Sequence, residues 1–101
     1  MSATWIRCEV APGQFGNEYV VKSKDAHGRI FSLFCPEEYV ELESEKEPTF
    51  DAPCQGWIIV QVVEKKQAHC LVRLPRHTLE NGPYVTVESA SVVRRPAKQR
   101  A

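Results

Sequence analysis

Four cysteines, three histidines and a run of carboxylates are the residues of this 101-residue chain with the chemistry to catalyse or to hold a metal. Cys8, Cys35, Cys54 and Cys70 are separated by 27, 19 and 16 residues, with no C-x-x-C step among them. Zinc is usually held by closely spaced pairs presented on a turn. His69 and Cys70 are neighbours, so a regular strand sends them to opposite faces. No metal site and no cofactor is expected. A cysteine nucleophile needs a thiolate beside a base. Cys54, in Ala52-Pro53-Cys54-Gln55-Gly56, is the cysteine in a loop pattern, and His69 or His77 would be its base, but no spacing joins them. Glu37 with Glu41, and Glu41 with Glu45, could align carboxylates on a helix. Acid–base pairs of that kind need a cleft that perturbs one pKa, and the open flanking sequence reads as a solvated acidic patch. Gly13 and Gly16 precede a strand pattern, which excludes a phosphate-cradling loop at a helix start. The chemistry points to a non-catalytic protein.

Charge is divided along the chain although its formal sum is zero. Residues 1–53 carry ten acids and five bases, whereas residues 54–101 carry three acids and eight bases. The acids gather at Glu37, Glu38, Glu41, Glu43, Glu45, Glu47 and Asp51. The bases are Lys65, Lys66, Arg73, Arg76, Arg94, Arg95, Lys98 and Arg100. Faces of opposite sign steer partners and favour head-to-tail self-association.

Two binding readings follow. Small barrels bind single-stranded nucleic acid by stacking bases on aromatic rings within a basic groove. Trp57 and Tyr84 supply rings beside Lys65, Lys66, Arg73, Arg76, Arg94 and Arg95, which makes RNA a candidate partner. Both rings can equally be core, and a net charge of zero is unusual for a dedicated nucleic-acid binder. The favoured class is a protein-interaction module with an unidentified protein partner. An exposed edge strand would accept a partner strand, with Glu18–Lys24 as the expected edge, and the acidic residues Glu37–Glu47 would form a docking loop.

These residues must be positioned by strands. Ile6, Cys8 and Val10 share one side of a strand over Thr4–Val10, and Trp5 falls on the polar side, where its ring would cover a barrel end. Further strands are expected over Glu18–Lys24, Arg29–Cys35, Gly56–Val63, Ala68–Leu74, Tyr84–Glu88 and Ser91–Arg95. Arg29–Cys35 is apolar on both faces and reads as central. Gly56–Val63 is β-branched and nearly all apolar, which also places it mid-sheet. His27-Gly28 suits a left-handed turn. Pro36-Glu37-Glu38 can start one helical turn, and Tyr39–Leu42 either continues that turn or forms a short strand. Glu43–Pro53 is a long polar loop, and such loops are mobile or functional. Cys8, Cys35 and Cys70 fall in apolar strand patterns and read as small buried thiols.

A pattern of strand, turn, strand and proline is written twice. Shifted by 39 residues, Tyr19–Glu41 overlies Ile58–Glu80 without a gap, with identities at Val21/Val60, Pro36/Pro75 and Glu41/Glu80. The expectation is an all-β fold, a small antiparallel barrel of six or seven strands. From residue 54 to 95, a long hairpin, a one-turn excursion and a short last strand resemble the end of an SH3-like barrel. That resemblance is one of topology and spacing, and the ligand-binding residues of SH3 domains have no counterparts in this sequence. The alternatives are a small sandwich or an OB-like barrel, which usually carries a helix that this sequence lacks. One domain is expected over residues 1–95, followed by a disordered basic tail over 96–101. The start has no export signal and no run long enough to span a bilayer. The expectation is a cytoplasmic protein with reduced thiols and no membrane partner.

Overall fold

Alternation of apolar and polar residues builds the first strand. In a computed structural model that describes residues 2–97, β1 runs over Ser2–Pro12. Ile6, Cys8 and Val10 turn inward and are buried, while Arg7 and Glu9 face solvent. The strands that follow are β2 (Glu18–Lys24), β3 (Ile30–Pro36), β4 (Val40–Leu42), β5 (Cys54–Lys65), β6 (His69–Arg73), β7 (Tyr84–Glu88) and β8 (Val92–Pro96). Two single 3-10 turns, Glu37–Tyr39 and Ser89–Ser91, lead into β4 and β8. The described residues form eight strands, above the expected six or seven, because Val40–Leu42 makes a strand of its own.

The fold is all-β, a curled antiparallel sheet that forms a half-barrel. Its order is β3-β2-β1-β5-β6-β7, with β4 also on β5 and β8 also on β1. Strand β5 is central, as its composition predicts. One edge of β1 pairs with β5 from Thr4 to Val10. Its other edge is divided between β8, over Ser2–Ile6, and β2, over Glu9–Pro12. The inward side chains form one core, with Val21, Leu33, Ile58, Val72 and Val87 at its centre. Burial of each such side chain contributes about 1.5–3 kcal/mol. Gly56 lets β4 approach: a Cβ there would lie 2.7 Å from the Glu41 carbonyl oxygen. Gly28 takes the expected left-handed conformation, with φ 80°.

Two expectations are corrected. Strand β2 is no edge, since it pairs with β3 along its full length and with β1 over Tyr19–Lys22. Strand β3 is not central but ends the sheet path. Its free edge is met at one position by the segment between β6 and β7, which donates from the Leu79 amide to the Ser32 carbonyl (2.8 Å), and Ile30 on its outer face is 60% exposed. Trp5 lies on the side of β1 away from Ile6, Cys8 and Val10, as expected, and is 0% exposed between Ile59 of β5 and Val93 of β8.

The two overlaid hairpins differ in register. Val21 faces Leu33 in the first. The equivalent of Leu33, Val72, faces Val62 rather than Val60, and the register shifts again between Val62 and Glu64. Of the tail, Lys98 and Arg100 lie outside the described residues.

Candidate functional site

Trp57 sits on the outer face of β5, opposite Arg7 of β1 and Glu41 of β4. The Arg7 guanidinium lies 5.0 Å from its ring centre and that of Arg95 lies 4.5 Å away. Each arginine also meets a carboxylate: Arg7 Nη2 donates to Glu43 Oε1 at 2.8 Å, and Arg95 Nη2 to Glu41 Oε1 at 2.6 Å. Trp57 is thus half-buried beneath two arginines whose charge is balanced locally. The acidic and basic runs, separate in sequence, meet here because β4 and β1 both lie on β5 and β8 returns to β1.

The other basic residues are dispersed. Arg73 lies 5.9 Å from the ring centre of Tyr84, its partner across β6 and β7. Tyr84 is 52% exposed. Along β5, Trp57 precedes Gln61, the partner of Arg73, by four residues, roughly 13 Å at the rise of a strand. The two rings therefore form separate features. Lys65 and Lys66 lie at the β5–β6 turn, where Lys66 pairs with Glu64 at 3.3 Å. Arg76 lies 5.3 Å from the Tyr39 ring centre, and Arg94 donates to Ser2 Oγ at 3.3 Å.

The acidic segment is tied down. The Tyr19 hydroxyl donates to Glu47 Oε2 at 3.1 Å, and partial burial with the Glu47 charge pushes its pKa up to about 12. The Glu43 amide donates to the Gln55 carbonyl (3.0 Å) and Cys54 Sγ to the Lys46 carbonyl (3.4 Å). Glu45 is exposed, and Glu37 and Glu38 form the first 3-10 turn.

The cysteines and histidines do not assemble. Cys54 opens β5, whereas His69 lies at the far end, next to Cys70, which pairs with Lys65. The His69 ring instead meets that of His27, edge to face at 5.9 Å. All four cysteines are free thiols, three of them buried. Burial pushes the thiols of Cys8 and Cys35 up to about 12, so both stay protonated and poorly nucleophilic near neutrality. Among the described residues, no three histidine, cysteine or acidic side chains are placed to hold a metal ion. No helix among them is long and apolar enough to cross a membrane.

The most distinctive polar arrangement lies on the outer edge of β3. Ser32 N donates to Glu80 Oε1 and Ser32 Oγ to Glu80 Oε2, both at 2.8 Å. With Leu79 N on the Ser32 carbonyl, the segment between β6 and β7 occupies one position where a neighbouring strand would pair. Thr78 shapes this segment, since its Oγ1 lies within donating distance of the Asn81 and Gly82 carbonyls, with one proton to share between them, and accepts from the Asn81 amide. Outward-pointing backbone groups alternate along an antiparallel strand. Ser32 points outward, so Phe34 does too. Phe34 faces a cleft of ≈560 Å³, whose lining includes Pro36, Arg76, His77 and Leu79. On the other side of Glu80, a cleft of ≈420 Å³ runs between Ile30 and Tyr84 along the seam where the half-barrel stays open.

Ser32, Phe34, Leu79 and Glu80 are absent from the residues that the sequence marks for binding; Arg76 is present. The available sign was Ser32, a lone hydroxyl within Ile30–Cys35. Comparison with family models, curated proteins and solved structures gave no match to this chain.

Proposed function

We propose that this chain is a non-catalytic, protein-binding module built on an SH3-like barrel. The meander of β5, β6 and β7, the 3-10 turn Ser89–Ser91 and the return of β8 to β1 support the barrel assignment. The observation that carries the function is the outer edge of β3. It is a terminal strand whose backbone at Phe34 faces a cleft with an aromatic wall and a basic rim. Extended segments bind such edges through main-chain hydrogen bonds and are selected by side-chain pockets. The partner is a different protein, because Glu41 and Arg95 already neutralise each other within one chain and leave less charge for head-to-tail association. Free buried thiols fit a reducing compartment such as the cytoplasm.

The alternative partner is single-stranded RNA, and the exposed Tyr84 ring beneath Arg73 favours it. Against it stand the balanced charges at Trp57 and the separation of Trp57 from Tyr84. An amide ¹H–¹⁵N titration separates the two. A six-residue peptide of alternating valine and threonine should move resonances of Ile30–Pro36 and Leu79. Mixed-sequence single-stranded RNA at low salt should leave Lys65–Arg76 and Arg94–Arg95 unmoved. Salt-sensitive RNA shifts at those bases, with β3 silent to the peptide, would replace the protein-binding reading with the nucleic-acid one.

A further inference from the structure

The molecule contains its own imitation of a bound strand. On the outer edge of β3, Ser32 presents an amide donor, a hydroxyl donor and a carbonyl acceptor. Each is met by the dipeptide Leu79-Glu80, at 2.8 Å in every case. This dipeptide belongs to no strand. Its grip consists of hydrogen bonds with little apolar burial: Leu79 is 60% exposed and the Glu80 side chain lies in solvent. Segments held in this way open locally at low free-energy cost. Two residues along β3 the imitation stops, and Phe34 faces the cleft with Arg76 and His77 at its rim. Glu18, the acid in that lining, accepts from the Gln14 amide at 3.3 Å, within its own loop.

We propose that Leu79-Glu80 is a displaceable plug on β3, and that the partner of this edge is an extended acidic peptide segment. The partner carboxylate takes the place of Glu80 on the Ser32 amide and hydroxyl. The partner backbone continues along Phe34, and its further negative charge meets Arg76. This proposal rests on the protein-binding reading above and specifies the chemistry of the ligand.

Selectivity for acid follows from what Ser32 offers. Two convergent donors suit a carboxylate, and hydrogen bonds to a charged acceptor are about twice as strong as neutral ones. An ammonium group at the same place would face two donors and the Arg76 charge. Self-occupancy by Glu80 lowers the apparent affinity by the fraction of molecules in which the edge is open. Weakening the plug should therefore tighten peptide binding without any new contact.

The test uses the full chain, isothermal titration and three acetylated, amidated heptapeptides. Each alternates valine and threonine around a central Leu-Glu, Leu-Gln or Leu-Lys step. The expected result is Leu-Glu binding at least about tenfold tighter than Leu-Lys, with Leu-Gln between them. Glu80→Gln, which loses the charge of the plug, should tighten Leu-Glu binding by roughly threefold or more. A second glutamate placed two residues from the Leu-Glu step, on the Phe34 side, should tighten binding further, and Arg76→Ala should remove that gain. Ser32→Ala, which keeps the backbone amide, should narrow the difference between Leu-Glu and Leu-Gln, and it supplies a second test should Glu80→Gln fail to fold. Equal affinity for Leu-Glu and Leu-Lys would overturn the proposal while leaving the protein-binding reading intact. An affinity unchanged in folded Glu80→Gln would overturn the plug. If none of the three peptides moved β3 amides, both readings would fall together. A dimer appearing in sedimentation without peptide, with β3 amides protected, would assign the edge to a second copy and overturn the proposal.

Discussion

Arg95 lies over Trp57, its guanidinium 4.5 Å from the ring centre, and the same group reaches Glu41 at 2.6 Å. The two residues join β8 to β5 across β1, so one arginine ties three strands on the outer face of the sheet. Its Nε is buried with no hydrogen-bond partner among the described residues. Stacking and the ion pair therefore hold it in place.

Arg95→Ala should destabilise the fold by about 1–2 kcal/mol. The estimate combines a partly desolvated cation–π contact of about 0.5–2 kcal/mol with a half-exposed ion pair of at most about 1 kcal/mol. Arg95→Lys should recover only part of this, because a point charge cannot stack and pair through one planar group. Urea unfolding monitored by tryptophan emission measures both, with a red shift expected in the native alanine variant. A loss below about 0.3 kcal/mol would mean that the arginine merely lies on the surface.

Trp5 gives a different prediction. Its ring is fully buried, yet Nε1 has no hydrogen-bond partner among the described residues. Burying an unsatisfied donor costs about 1–3 kcal/mol, and that cost offsets part of the gain from the ring. Trp5→Phe removes the orphan donor together with some volume, and it should change stability by less than about 1.5 kcal/mol. Trp5→Ala empties the site and should cost about 3–5 kcal/mol. Chemical denaturation of both variants measures the gap. A phenylalanine variant as damaged as the alanine one would mean that the indole nitrogen is satisfied in solution.

Local alternation was legible in the sequence, whereas long-range pairing was not. The bounds of β2 and β7, the inward faces of β1 and β6 and the burial of Cys8, Cys35 and Cys70 all follow from period-two patterning. The edge strand was misread because side-chain polarity reports which face of a strand meets solvent and not which backbone edge is paired: Lys22 and Lys24 are polar on a strand paired on both edges. The apolar β3 ends the sheet path, its outer edge met at Ser32 by Leu79 and Glu80. The acidic and basic runs read as separate surfaces because no local pattern encodes the pairing that brings Glu41 to Arg95 across 54 residues. The segment Glu43–Pro53 read as open for the same reason, since Tyr19 and Arg7 anchor it from distant strands.

Acid should loosen the link between Glu80 and Ser32 in a defined window. The Ser32 amide and hydroxyl hold the Glu80 carboxyl below its ordinary value of 4.5. A depressed folded-state pKa contributes stability that is fully present above the unfolded value and is lost as pH falls through the folded one. The difference in melting temperature between the wild type and Glu80→Gln should therefore be positive and level from pH 7 down to about pH 5. It should shrink below 4.5 and vanish once Glu80 is protonated in the folded state. The other carboxylates titrate in both proteins, so the difference isolates this one. The side chain is solvent-exposed, so water screens the interaction and the effect should be small, yet reproducible between matched scans. Amide exchange at Ser32 should accelerate over the same window. A melting difference that stayed constant from pH 7 to pH 2 would show that the charge of Glu80 contributes nothing to the closed edge.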